Sequence, residues 1–205
     1  MKKHLYKYII IFILVLAFTV SFNGSHSIQS VDDLAYAVAL GIDVGETSNL
    51  KVTFQFTKPS SSGGEGSSGG EEVSSVVDSV EANSIDSAIN LINSFISKEL
   101  NLSHCKIVVF SEEIAKRGID TEVYSLVNKV QMRPDTNVII STCSANEYIK
   151  NVTPSLENLV AKFYEILPRT SEYTGSTSNV QLGHFFNQMV CNTCEPVAIL
   201  RKRHS

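Results

Sequence analysis

CKIVVFSEEIAKRG, residues 105–118, runs to Phe110 with Lys106 as its one polar residue and then changes character at Ser111. A short apolar run rich in Val, Ile and Phe predicts a strand over Cys105–Phe110, buried on both faces. The Ser111 hydroxyl can accept an N–H of a first helical turn, Glu112 and Glu113 suit the positive end of that helix, and Gly118 ends it. A strand that runs straight into a helix is half of an α/β unit. Downstream the pattern repeats: a helix over Asp120–Val130, a turn at MRPDT, and a buried strand over Asn137–Thr142. That strand leads into Ser144-Ala145-Asn146-Glu147, a capping box. Two such units in succession predict an α/β fold, a mixed sheet of about four to five strands packed with several helices.

Toward the N-terminus, LAYAVALGID within residues 32–43 reads as a central strand. Lys51–Phe56, where Val52, Phe54 and Phe56 alternate with polar residues, reads as a half-exposed one. PSSSGGEGSSGG, residues 59–70, has no side chains to pack and reads as a flexible loop; the strand expected over Glu72–Glu81 would close it into a long hairpin. Ser84 then caps a helix whose Ile85, Ala88, Ile89, Ile92, Phe95 and Ile96 recur at helical spacing. Toward the C-terminus, Ser155–Leu167 reads as an amphipathic helix stopped by Pro168, Asn179–Val190 as a last helix, and Pro196–Leu200 as an apolar strand running into RKRHS.

The first 24 residues have a different composition. Lys2, Lys3 and Lys7 precede a charge-free stretch that lasts until Asp32, the layout of an export signal or membrane anchor. Ile9–Val20 is shorter than the roughly 20 residues that span a bilayer, but Tyr8–Phe22 can span with some thinning. Thr19-Val20-Ser21 meets the small-residue rule for cleavage only loosely, so cleavage stays open. With a net charge of −4 and no basic patch interleaved with aromatics, nucleic acid is not an expected partner.

Candidate chemistry is sparse. Ser103, His104 and Cys105 stand side by side, but neighbours along an extended chain point to opposite faces, which is poor geometry for a nucleophile and its base. Cys191 and Cys194 form CNTC, whose spacing suits a local disulfide, free thiols, half of a zinc site or a redox pair; His184 and His204 are at no recognisable zinc spacing. Cys105 and Cys143 can pair only if their strands lie close. Gly64, Gly66 and Gly69 fit GxGxxG, but in a low-complexity context beside Glu65, Glu71 and Glu72 that would repel a pyrophosphate. The sequence therefore leads to no catalytic, cofactor-binding or metal-binding residues.

Taken in order, ALGID at 39–43, VTFQF at 52–56, LSHCKIVVF at 102–110, EEIAKRGI at 112–119 and RPDTNVIIS at 133–141 resemble the Ger(x)C spore germination family. The resemblance covers roughly residues 30–200, an N-terminal domain of that type. It implies a non-enzymatic, membrane-anchored accessory subunit of a nutrient germinant receptor, without cofactors. Such a subunit sits on the extracytoplasmic face of the spore inner membrane and works with membrane-embedded A and B type subunits in receptor assembly and in coupling nutrient sensing to germination. Where the family places an acylated cysteine, this chain has Ser25, which cannot form the thioether, so anchoring is expected to fall to the helix at Tyr8–Phe22. Family members are longer, which implies a truncated or shortened form with residues 201–205 as a basic tail. The competing expectations are an extracytoplasmic small-ligand binding domain or a hydrolase using Ser103 and His104, and an inactive truncated remnant.

Overall fold

A computed structural model describes residues 2–22, 34–57, 75–152, 154, 157, 159–169, 175 and 180–201. The chain divides into two compact units, Met1–Asp33 and Leu34–Ser205. The first contains helix α1, Lys2–Phe22, whose apolar side chains from Ile9 to Leu16 all stand exposed. Among the described residues no helix is long and apolar enough to cross a membrane.

Among the described residues, the second unit is built on a mixed sheet of seven strands. They are β1 (Leu34–Val44), β2 (Leu50–Thr57), β3 (Ser75–Ala82), β4 (Glu99–Asn101), β5 (Ile107–Ser111), β6 (Asn137–Ser141) and β7 (Ile199–Arg201). The spatial order is β3-β2-β1-β5-β6-β7, with β4 pairing the first residues of β1. β1, β2 and β3 form an antiparallel meander, while β1, β5, β6 and β7 run parallel. This exceeds the four to five strands expected. β4 pairs only three residues, too few to show periodicity in the sequence, while β7 at Ile199–Arg201 overlaps the end of the strand expected over Pro196–Leu200.

Among the described residues, six helices cover the two faces of the sheet. On one side α2 (Ile85–Phe95), α3 (Glu112–Arg117), α4 (Asp120–Val127) and α7 (Leu182–Val190) bury Ile92, Ile114, Leu126 and Phe185 against Leu40, Phe54 and Phe110. On the other, α5 (Ala145–Asn151) and α6 (Val160–Ile166) bury Ile149 and Tyr164 against Ala39, Val109 and Ile139. Covering both faces explains why β5 is apolar from Ile107 to Phe110. Each fully buried Val, Ile or Phe there contributes about 1.5–3 kcal/mol of transfer free energy.

The expected caps are in place. Ser84, Ser111 and Ser144 each accept the N–H three residues on, from Ser87, Ile114 and Glu147, and Gly118 ends α3 at φ 106°. Boundaries move where tertiary contacts outweigh pattern. α4 stops at Val127 rather than Val130, α7 begins at Leu182 where a helix from Asn179 is expected, and within the helix expected over Ser155–Leu167 the described residues form α6 at Val160–Ile166. α6 ends at Ile166, ahead of Pro168 as expected, and Pro168 itself lies within the short 3-10 turn Leu167–Arg169.

β2 is the clearest correction. It is not half-exposed: Val52 to Phe56 are all buried, because Thr53 and Gln55 face α5 and α6 rather than water. Asn146 Nδ2 donates to Thr53 Oγ1 at 2.9 Å and the Tyr164 hydroxyl to Gln55 Oε1 at 2.8 Å. Polar residues on that face are thus buried with partners, as burial requires.

Candidate functional site

The segment Leu102–Lys106 interrupts what would otherwise be one long strand beside β1. Leu34–Tyr36 pair with Glu99–Asn101, and Ala39 pairs with Ile107, so five residues on one side face Ala37 and Val38 on the other. β1 is also irregular here against β2, between Ala37 and Ala39. The excess residues fold into a turn: Asn101 Oδ1 accepts the Ser103 N–H at 2.9 Å, and the Cys105 N–H donates to the Leu102 carbonyl at 3.0 Å. The Lys106 N–H then rejoins the sheet through Val38 O at 2.9 Å.

This corrects the strand boundary, since β5 begins at Ile107 rather than Cys105 and Ser103 and His104 belong to the turn. His104 stacks on Tyr36 with ring centroids 4.4 Å apart, and among the described residues no hydrogen bond joins it to Ser103. The Cys105 thiol donates to Ile107 O at 3.4 Å in full burial, and that burial pushes its pKa up to about 12. Such a thiol is held neutral and inert at ordinary pH.

At the opposite, carboxyl ends of the parallel strands lies a crevice of about 310 Å³ lined in part by Asp43, Lys51, Ser111, Glu113, Cys143 and Asn146. The chain leaves β5 toward α3 on one face and leaves β6 toward α5 on the other. In open α/β sheets this divergence is where ligands are usually bound. Here, however, the polar lining is largely engaged within the fold. Asp43 Oδ1 and Oδ2 accept the N–H groups of Ala145 and Asn146 at 2.7 and 2.9 Å, Ser111 and Ser144 cap helices, and Glu112 pairs with Lys116 at 2.6 Å. The arrangement ties β1 to α5.

A smaller hollow of about 160 Å³ lies near the amino ends of the strands, with Lys106–Glu165 and Arg133–Asp135 ion pairs at 3.3 and 2.7 Å. Hydrogen bonding from Arg133 holds the Asp135 carboxyl below its ordinary range. Elsewhere, burial raises the Tyr164 and Tyr148 hydroxyls, with Arg201 opposing the shift at Tyr148.

The cysteines resolve plainly. Cys191 and Cys194 form a disulfide, so their sulfurs are not thiolate metal ligands. Cys105 and Cys143 are free: β5 and β6 are neighbours, but Cys105 precedes one strand and Cys143 follows the other, at opposite ends. Among the described residues no group of three or more His, Cys, Asp or Glu side chains can hold a metal ion. Ser25, the GxGxxG glycines, the loop at 59–70 and His204 lie outside the described residues. Asp43, Asn146, Gln55, Tyr164 and Glu81 were not singled out from the sequence. The signal for Asp43 was its place at the end of an apolar strand, where a carboxylate needs a partner.

A mixed α/β domain with helices on both faces, an interrupted strand at its centre and a capped carboxyl-end junction is therefore preceded by an apolar N-terminal helix. The chain belongs to the spore germination protein N-terminal domain family, which it matches over residues 27–200. It is 26% identical over 189 residues to spore germination protein KC of Bacillus subtilis (strain 168), covering 90% of this chain and 46% of that protein. It is 25% identical over 201 residues to putative spore germination protein YfkR of the same organism, covering 97% and 50%. The chain thus spans about half the length of the curated relatives it matches. No solved structure matches it.

Proposed function

We propose that this domain belongs to a non-enzymatic accessory subunit of a spore nutrient germinant receptor, and that it acts in assembling the receptor and in coupling nutrient detection to germination. The observation that carries this is the family match over residues 27–200, together with relatives named as spore germination proteins. Its partners on this account are membrane-embedded A and B type subunits, and its place is the extracytoplasmic face of the spore inner membrane. α1, exposed and apolar from Ile9 to Leu16, supports a role at the bilayer, with Ser25 unable to carry a thioether-linked lipid. Work without catalysis is supported by the stacking of His104 on Tyr36 and by the engagement of Ser103 in a turn.

The test of non-enzymatic action is a spore strain carrying Ser103→Ala and His104→Ala together. Germination in nutrient is expected to match wild type once subunit levels are equal. Loss of the response at a full level of folded subunit would instead make the pair functional in its own right.

A further inference from the structure

The Cys191–Cys194 disulfide, with Cα atoms 5.3 Å apart, sits in the connection that leaves α7 at Val190 and delivers β7 at Ile199. Residues 192–197 of that connection are exposed, and its polar ties are long. The Cys194 N–H reaches Cys191 O at 3.4 Å, and the Val197 N–H reaches Gln188 Oε1 at 3.5 Å. β7 itself pairs only three residues with β6, burying Ile199 and leaving Leu200 59% exposed. So short an edge strand is held weakly by its own contacts. The disulfide closes the turn that follows α7, and four exposed or half-buried residues separate it from β7.

β7 also reaches the crevice at the strand carboxyl ends. The Arg201 carbonyl accepts the Thr142 N–H at 3.0 Å, its side chain hydrogen-bonds Tyr148 on α5, and Thr142 and Cys143 line that crevice. Cys194 is open to a thiol reagent, whereas Cys105 is fully enclosed.

We infer that Cys191–Cys194 is a redox-responsive clasp: a dithiol reductant opens it, and β7 then detaches from β6 and frees the Thr142–Ser144 wall of the crevice. The reductant's thiolate attacks one sulfur, breaking the S–S bond and forming a mixed disulfide. Its second thiol then displaces that cysteine, so two electrons and two protons pass from the dithiol, which closes to its own disulfide, to the cysteine pair.

Amide hydrogen exchange on the whole chain, with and without dithiothreitol, tests this. Reduction is expected to speed exchange at Ile199–Arg201 and Thr142 by at least about ten-fold while β1 and β2 keep their protection. The Cys191→Ser/Cys194→Ser chain is expected to exchange like reduced protein and not respond to reductant; should it fail to fold, the wild-type comparison decides alone. Unchanged protection of β7 after alkylation has confirmed both thiols free would overturn the clasp. So would four free thiols in the chain isolated under air, or a double-serine chain as protected as the oxidised one.

Discussion

Glu81 holds the turn between β1 and β2 from the neighbouring strand β3. Its carboxylate accepts the Thr47 N–H at 2.8 Å, the Thr47 hydroxyl, and the N–H groups of Glu46 and Ser48 at 3.3 Å. The Thr47 hydroxyl bond leads in drawing its pKa down to about 2 from the ordinary 4.5. Because the folded value lies below the unfolded one, the contribution is fully present above about pH 4.5 and is lost as pH falls toward 2. Exchange at Glu46, Thr47 and Ser48 is therefore expected to rise over that window relative to other turns, and Glu81→Gln to remove the dependence. A turn equally protected in both chains at every pH would contradict it. Asp43 acts at longer range, since Asp43→Ala leaves the Ala145 and Asn146 N–H groups without their carboxylate; a loss of about 1–3 kcal/mol in urea unfolding is expected. Tyr164→Phe is expected to cost about 1–2 kcal/mol by orphaning buried Gln55 Oε1, and no change in the unfolding midpoint would show that the bond contributes nothing. The partners of Asp43 and Tyr164 lie 102 to 109 residues away in the chain, so no local pattern could reveal them.

Strand and helix identity came through where pattern and burial agree. β5 and its helix were legible because the apolar run, the Ser111 cap, the paired glutamates and Gly118 all act within a few residues of one another. β2 was misjudged because alternation distinguishes two faces but not what covers the second one, and here α5 and α6 arrive from far down the chain to meet Thr53 and Gln55. β4 was missed because its pairing is set by β1, with only three residues of its own. Gly41 marks how closely α5 approaches β1. A Cβ there would stand 2.8 Å from Ile149 Cδ1, 3.2 Å from Ala145 Cβ and 3.3 Å from Thr53 Cβ. The Ile149 tip can swing away, but Ala145 and Thr53 are fixed by their backbones, so Gly41→Ala is expected to destabilise by about 1 kcal/mol, the low end for overpacking. A chain stabilised by that change would mean that α5 is free to retreat.

At the scale of the whole molecule, the N-terminal unit Met1–Asp33 and the sheet domain pose separate questions. The α/β class and the family were legible from ordered segments such as ALGID and LSHCKIVVF, because those segments belong to β1, the turn at Leu102–Lys106 and β5, the centre of the sheet. The crevice was not legible, since it exists only once three strand ends and two helix starts converge. The central claim is that this domain serves within a germinant receptor. Affinity purification of the tagged chain from detergent-solubilised dormant-spore membranes, with mass spectrometry of what accompanies it, tests that claim most directly. The account predicts recovery together with two multi-span membrane subunits; recovery of the chain alone, or its absence from the membrane fraction, would contradict it.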